Sequence, residues 1–130
     1  MRVLALDYGS ARCGCALSDP TGTIVTPLAV VERPATRRGM LALAQLVQER
    51  DVERVVVGLP LSLRGDDTAQ TRETREFAQR LARRLGEHVP VELYDERFTT
   101  RMAQRLDGAA SASEDSRAAA HMLEGWMAAH

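Results

Sequence analysis

At 130 residues the chain is sized for one domain with one core, and its 45% apolar and 27% charged content is that of an ordinary folded protein. Its 17 basic residues are all arginine, and with 18 acidic ones they leave a net charge of −1 and a pI near 6.3. That balance excludes a dedicated nucleic-acid coat, whose pI commonly exceeds about 9, and leaves any phosphate binding to local arginine patches.

The elements follow in chain order. A short apolar run predicts a buried strand over 2–6, ending at Asp7. Tyr8-Gly9-Ser10-Ala11-Arg12 turns the chain into a second strand over 13–18. Asp19-Pro20-Thr21-Gly22 has the residues of a type I turn and leads to a third strand over 23–31. These three predict an antiparallel meander. Met40, Leu43, Ala44 and Val47 recur at helical spacing and predict a helix over 37–50.

A β-branched run predicts the fourth strand over 54–58, followed by a Pro-, Gly- and Asp-rich loop over 59–67. A long helix is expected over 68–85, with Phe77, Ala78, Leu81 and Leu85 on one face and Gly86 as its stop. The fifth strand is expected over 89–94, a short helix over 99–106, a loop over 107–112 and a last helix over 113–127. The order β-β-β-α-β-α-β-α-α predicts a mixed α/β sheet with helices on both faces. Right-handed crossovers place strands four and five parallel to strand one, giving the order 3-2-1-4-5. The loops after strands one, four and five then open at one edge, where ligands bind in open α/β sheets.

Cys13 and Cys15 lie two apart in one strand and read as small core residues. No apolar stretch approaches the roughly 20 residues that span a bilayer, and the first strand begins without a signal peptide before it. Both predict a cytoplasmic protein of one domain, 1–130.

The candidate chemistry is acidic. Asp7 sits at the mouth of a buried strand, where a carboxylate costs desolvation free energy unless it is paired. Asp95, Glu96 and Asp115 are the acids that strand ends and helix starts bring toward it. Together they predict an oxygen-rich site for Mg²⁺ or Mn²⁺, with Asp7, Glu96 and Asp115 as the catalytic set and Asp95 as an alternative ligand. The ordinary readings are an Asx turn for Asp7, a loop ion pair for Asp95 or Glu96, and a helix-dipole partner for Asp115. Arg12 and Arg97 flank these acids as candidate phosphate clamps. Gly9 and Gly14 are expected to serve tight turns, and Pro60 and Gly65 to shape a substrate-facing loop. Arg72, Arg75, Arg80, Arg83 and Arg84 on the long helix, with Glu73 and Glu76 between them, read as a solvated face.

Four segments together resemble the YqgF/RuvX family of Holliday-junction-resolvase-like nucleases. They are Asp7-Tyr8-Gly9-Ser10-Ala11-Arg12-Cys13-Gly14, then Val57-Gly58-Leu59-Pro60-Leu61 with Gly65, then Asp95-Glu96-Arg97-Phe98-Thr99-Thr100, and Asp115-Ser116-Arg117-Ala118-Ala119. The resemblance covers nearly the whole chain in the family's order. It implies an RNase H-like fold, a divalent metal, and a role in maturing the 5′ end of pre-16S rRNA in ribosome biogenesis. It departs at 107–113, where the family often carries basic residues and this chain carries none. Two other readings stand beside it: a nucleic-acid-binding module that does not cleave, and a resolvase acting on branched DNA, which would call for a homodimer. Leu6-Asp7-Tyr8-Gly9-Ser10 also resembles the phosphate loop of actin-like ATPases, but those enzymes need two such domains.

Overall fold

The computed structural model describes residues 1–98 and 112–130. Its strands are β1 (Val3–Asp7), β2 (Arg12–Ser18), β3 (Val25–Glu32), β4 (Arg54–Leu59) and β5 (Val91–Asp95). Its helices are α1 (Arg37–Glu49), α2 (Ala69–Leu85) and α3 (Ala112–Ala129), with a 3₁₀ turn at Glu96–Phe98 between β5 and α3. The helix expected over 99–106 and most of the loop expected over 107–112 lie outside the described residues.

The strands form one sheet in the order β3-β2-β1-β4-β5, as the crossover rule predicts. β1 runs antiparallel to β2 and parallel to β4, which runs parallel to β5. β3 begins at Val25 rather than at Thr23. The Asp19 carboxylate accepts the Thr23 and Ile24 backbone N–H groups, both at 2.8 Å, and takes them out of the ladder. β3 also holds Pro27, which a strand at the sheet edge tolerates.

Side-chain alternation divides the core in two. Leu4, Leu6, Cys13, Cys15, Val55 and Val57 face α1 and α2, meeting Met40, Leu43, Phe77 and Leu81. Both cysteines are buried. Val3, Ala5, Ala16 and Val56 face α3, meeting Ala119, Met122, Leu123 and Trp126. Helices therefore cover both faces, and β1, β4 and β5 end at a common edge. Helix α2 starts from a capping box between Thr68 and Thr71, and Thr71 and Thr74 lie buried beside Phe77. No helix among the described residues is long and apolar enough to cross a membrane.

Candidate active site

Alternation along β1 carries Asp7 to the α3 face after Val3 and Ala5, and its exposure is only 2%. Gly14 lies directly across the β1–β2 ladder from Asp7. One step past the last β1–β4 pair, Leu6–Val57, Gly58 comes level on the other side. Asp7 is thus flanked by two residues without side chains. A Cβ on Gly14 would overlap the carbonyl oxygen of Asp115, and one on Gly58 would overlap Oε1 of Glu96. These two absences let the first turn of α3 and the Glu96 carboxylate settle onto the sheet beside Asp7.

Glu96 opens the 3₁₀ turn after β5 and is 3% exposed, over Gly58 and against Met122. Asp95 precedes it and faces the opposite side of the sheet. There Arg97 encloses its carboxylate: the Arg97 backbone N–H donates to Oδ1 at 2.9 Å, and Nε and Nη2 donate to Oδ2 at 3.0 and 2.6 Å. These bonds, above all those from the side chain, hold the Asp95 carboxyl below the usual carboxylate range, against the opposing effect of burial. Nη1 of Arg97 reaches the Leu63 carbonyl at 3.4 Å. Gly65 turns beneath the same guanidinium with φ +89°, where a side chain would be strained and crowded. The Pro60 carbonyl accepts the Thr71 hydroxyl. Arg97 and Thr71 thereby tie the β4–α2 loop to the Glu96 turn and to α2.

Asp115 is placed by the start of α3. The Cys15 N–H donates to Ser116 Oγ at 3.3 Å and pins the helix to β2. Arg12, on the same face as Gly14, donates through Nε to the Asp115 carboxylate, and this bond raises the Arg12 pKa further above its ordinary value. Gly9 serves the tight β1–β2 turn: a Cβ there would stand 2.8 Å from the Arg12 carbonyl oxygen. Tyr8 leaves on the other face and stacks on Phe77 with ring centroids 4.4 Å apart. Burial, and then Glu73, push its phenol up to about 12.

Of the four expected ligands, Asp7, Glu96 and Asp115 share the α3 face, and Asp95 lies across the sheet in the grip of Arg97. Among the described residues no three acidic, histidine or cysteine side chains are close enough to share an ion. The Asp115 carboxylate is turned to Arg12 instead. The donor chemistry still fits a hard divalent cation, because it is all carboxylate oxygen, and two glycines let Glu96 and the first turn of α3 approach the sheet beside Asp7.

Three positioning residues carry more than their sequence context signals. Gly14 reads as a turn glycine but is the seat of α3. Gly58 sits inside a strand, a position that often marks close approach, but nothing local names Glu96 as the visitor. Ser116 is 3% exposed and works through a backbone bond to a strand 101 residues away in sequence.

A family model described as "RuvX: Holliday junction resolvase" matches residues 1–129. A protein of Maridesulfovibrio salexigens named "Putative pre-16S rRNA nuclease" is 39% identical over 98% of this chain and 98% of its own length. One of the same name from Anaeromyxobacter sp. is 42% identical over 98% of this chain and 96% of its own length. Among solved structures, Thermus thermophilus RuvC in complex with a Holliday junction substrate superposes with a TM-score of 0.62, covering 99% of this chain and 95% of that one. Its identity is 18%, so this likeness is one of fold, the RNase H-like fold expected above.

Proposed function

The chain belongs to the RuvX family of Holliday junction resolvases, and from that membership we propose that it is a metal-dependent nuclease that processes the 5′ end of pre-16S rRNA. The observation that carries the reading is the placement of Asp7, Glu96 and Asp115 on one face of one sheet edge, around Gly14 and Gly58. A substrate in ribosome assembly puts the activity in the cytoplasm.

Asp7, Glu96 and Asp115 would hold Mg²⁺ or Mn²⁺, which when bound supplies a water of lowered pKa and stabilises the leaving oxygen. Carboxylates brought this close repel one another, and a divalent cation offsets that repulsion. Asp95 stays out of the ligand set and holds Arg97, which fixes the Glu96 turn and the loop bearing Pro60 and Gly65. Arg12 keeps Asp115 at the edge of the sheet. Its guanidinium has donors to give a phosphate in the same plane.

The test is cleavage of labelled single-stranded RNA, single-stranded DNA and a four-way DNA junction with Mg²⁺, Mn²⁺ or EDTA. The wild type should cut RNA only with metal, and Asp7→Asn should lose about three orders of magnitude in rate, some 4 kcal/mol of barrier. The family's description favours a second reading, cleavage of junction DNA. Preferential cutting of the junction would select it. Equal nucleic-acid binding by both proteins with no cutting of any substrate would leave a binding module and remove the nuclease.

A further inference from the structure

On the face of the sheet opposite Asp7, the first turn of α1 and the last turns of α2 enclose a second concavity of about 410 Å³. Arg37, Met40, Arg80, Arg83 and Arg84 line it. Four of these five carry a guanidinium. Among the described residues none of the four has a carboxylate within 4.0 Å. Pairing is available to their neighbours: Arg75, on the same helix, bonds Asp67 at 3.0 Å. Glu73 lies near the Tyr8 phenol, whose pKa it raises, and does not line the concavity. Glu76 stands one turn before Arg80 and does not line the concavity.

The local chemistry is unfavourable without an anion. Arg37 and Arg38 fill the first two positions of α1, whose first turn holds no acid. The N-terminus of a helix carries partial positive charge, so cations there cost stability. Three arginines of α2 then face the same space. All four guanidinium groups are exposed, and an anion with several oxygens would bond more than one of them at once. Guanidinium groups match phosphate through paired N–H donors. Arg72, Arg80, Arg83 and Arg84 are exposed, as the solvated-face reading expects; that Arg37 of another helix lines the same concavity is what one helix alone does not display.

We propose that Arg37, Arg80, Arg83 and Arg84 form a phosphate-binding site that takes the sugar–phosphate backbone of the nucleic acid away from the scissile bond. The phosphate chemistry stands on the pocket itself; the choice of nucleic acid as its carrier rests on the nuclease reading. The geometry supports a shared substrate. Tyr8 follows Asp7 directly and stacks on Phe77 of α2, so the helix bearing Arg80 is docked on the strand bearing Asp7. The same nucleic acid would then be held at the acids on one face of the sheet and at the arginines on the other.

The test compares Arg80→Gln/Arg83→Gln with Arg38→Gln/Arg72→Gln, a control that removes the same charge from exposed arginines outside the pocket. Binding of fluorescent single-stranded RNA is followed by anisotropy in EDTA, from about 50 to about 200 mM salt. The pocket variant should bind about tenfold more weakly at low salt, and its log–log salt slope should fall by about 1.4, two contacts' worth for a single strand. The control should stay within about twofold of wild type. A second arm measures the melting temperature with inorganic pyrophosphate, which should rise for wild type and control and not for the pocket variant. Pyrophosphate protection without any loss of RNA affinity would overturn the nucleic-acid carrier in favour of a small free phosphate compound. A pocket variant that matches the control in both arms would overturn the site. The nuclease reading fails separately: a wild type that cuts nothing while its RNA affinity depends on Arg80 and Arg83 sinks the cleavage and keeps the pocket.

Discussion

The two faces of the sheet are built to different rules. The face toward α1 and α2 is filled by Leu4, Leu6, Leu43, Val55, Val57, Phe77 and Leu81, each almost fully buried. The face toward α3 is lined by Ala5 and Ala16 in mid-strand, by Gly14 and Gly58 beside Asp7, and by Ala119 and Ala120 from the helix. Large side chains on the first face supply most of the apolar burial, which drives folding. Small ones on the second let a helix and a carboxylate come close to Asp7. One face holds the molecule together, and the other carries the acids proposed to hold the metal.

Substitutions should separate these roles. Leu43→Ala removes a fully buried side chain from the stabilising face and should cost about 2–5 kcal/mol in urea unfolding, with cleavage retained at temperatures where the variant is folded. Gly14→Ala adds one methyl on the other face. It drives into the Asp115 carbonyl, so α3 must shift, at a stability cost of about 1–3 kcal/mol. Its cleavage should fall by about a hundredfold even where the protein is fully folded, because a misplacement of about 1 Å has that effect. A Gly14→Ala protein as active as wild type would break the contrast between the faces.

A smaller effect concerns Asp95. Its carboxyl lies below the usual range because Arg97 stabilises the charged form. A depressed folded-state pKa contributes stability that is complete above about pH 4 and is lost as pH falls through the depressed value. Asp95→Asn should therefore lower stability at pH 7 by no more than about 1 kcal/mol, and the gap to wild type should narrow at pH 3. Urea midpoints at the two pH values give the answer, and a gap that widens in acid would contradict the ion pair.

Much of the architecture is readable from pattern alone. The apolar runs of β1 and β4, the Asp19–Gly22 turn and the spacing of Met40, Leu43 and Val47 lead to the observed sheet order and to helices on both faces. The site is readable only in part. Asp95 and Glu96 are neighbours at a strand end, and which one turns toward Asp7 depends on the register of β5 against β4 and on the 3₁₀ turn that begins at Glu96. That Asp115 turns its carboxylate to Arg12 depends on a helix set down on Gly14, a contact between residues about a hundred positions apart. The arginine pocket is divided between two helices, so neither helix alone displays it.

Asp7, Glu96 and Asp115 are proposed to form one metal-holding face from which Asp95 is excluded. Mn²⁺ binding, followed by electron paramagnetic resonance without substrate, tests it directly on wild type, Glu96→Gln, Asp115→Asn and Asp95→Asn. Glu96→Gln and Asp115→Asn should each weaken binding by about tenfold or more, while Asp95→Asn stays near wild type. Loss of Mn²⁺ with Asp95→Asn and its retention with Glu96→Gln would contradict it.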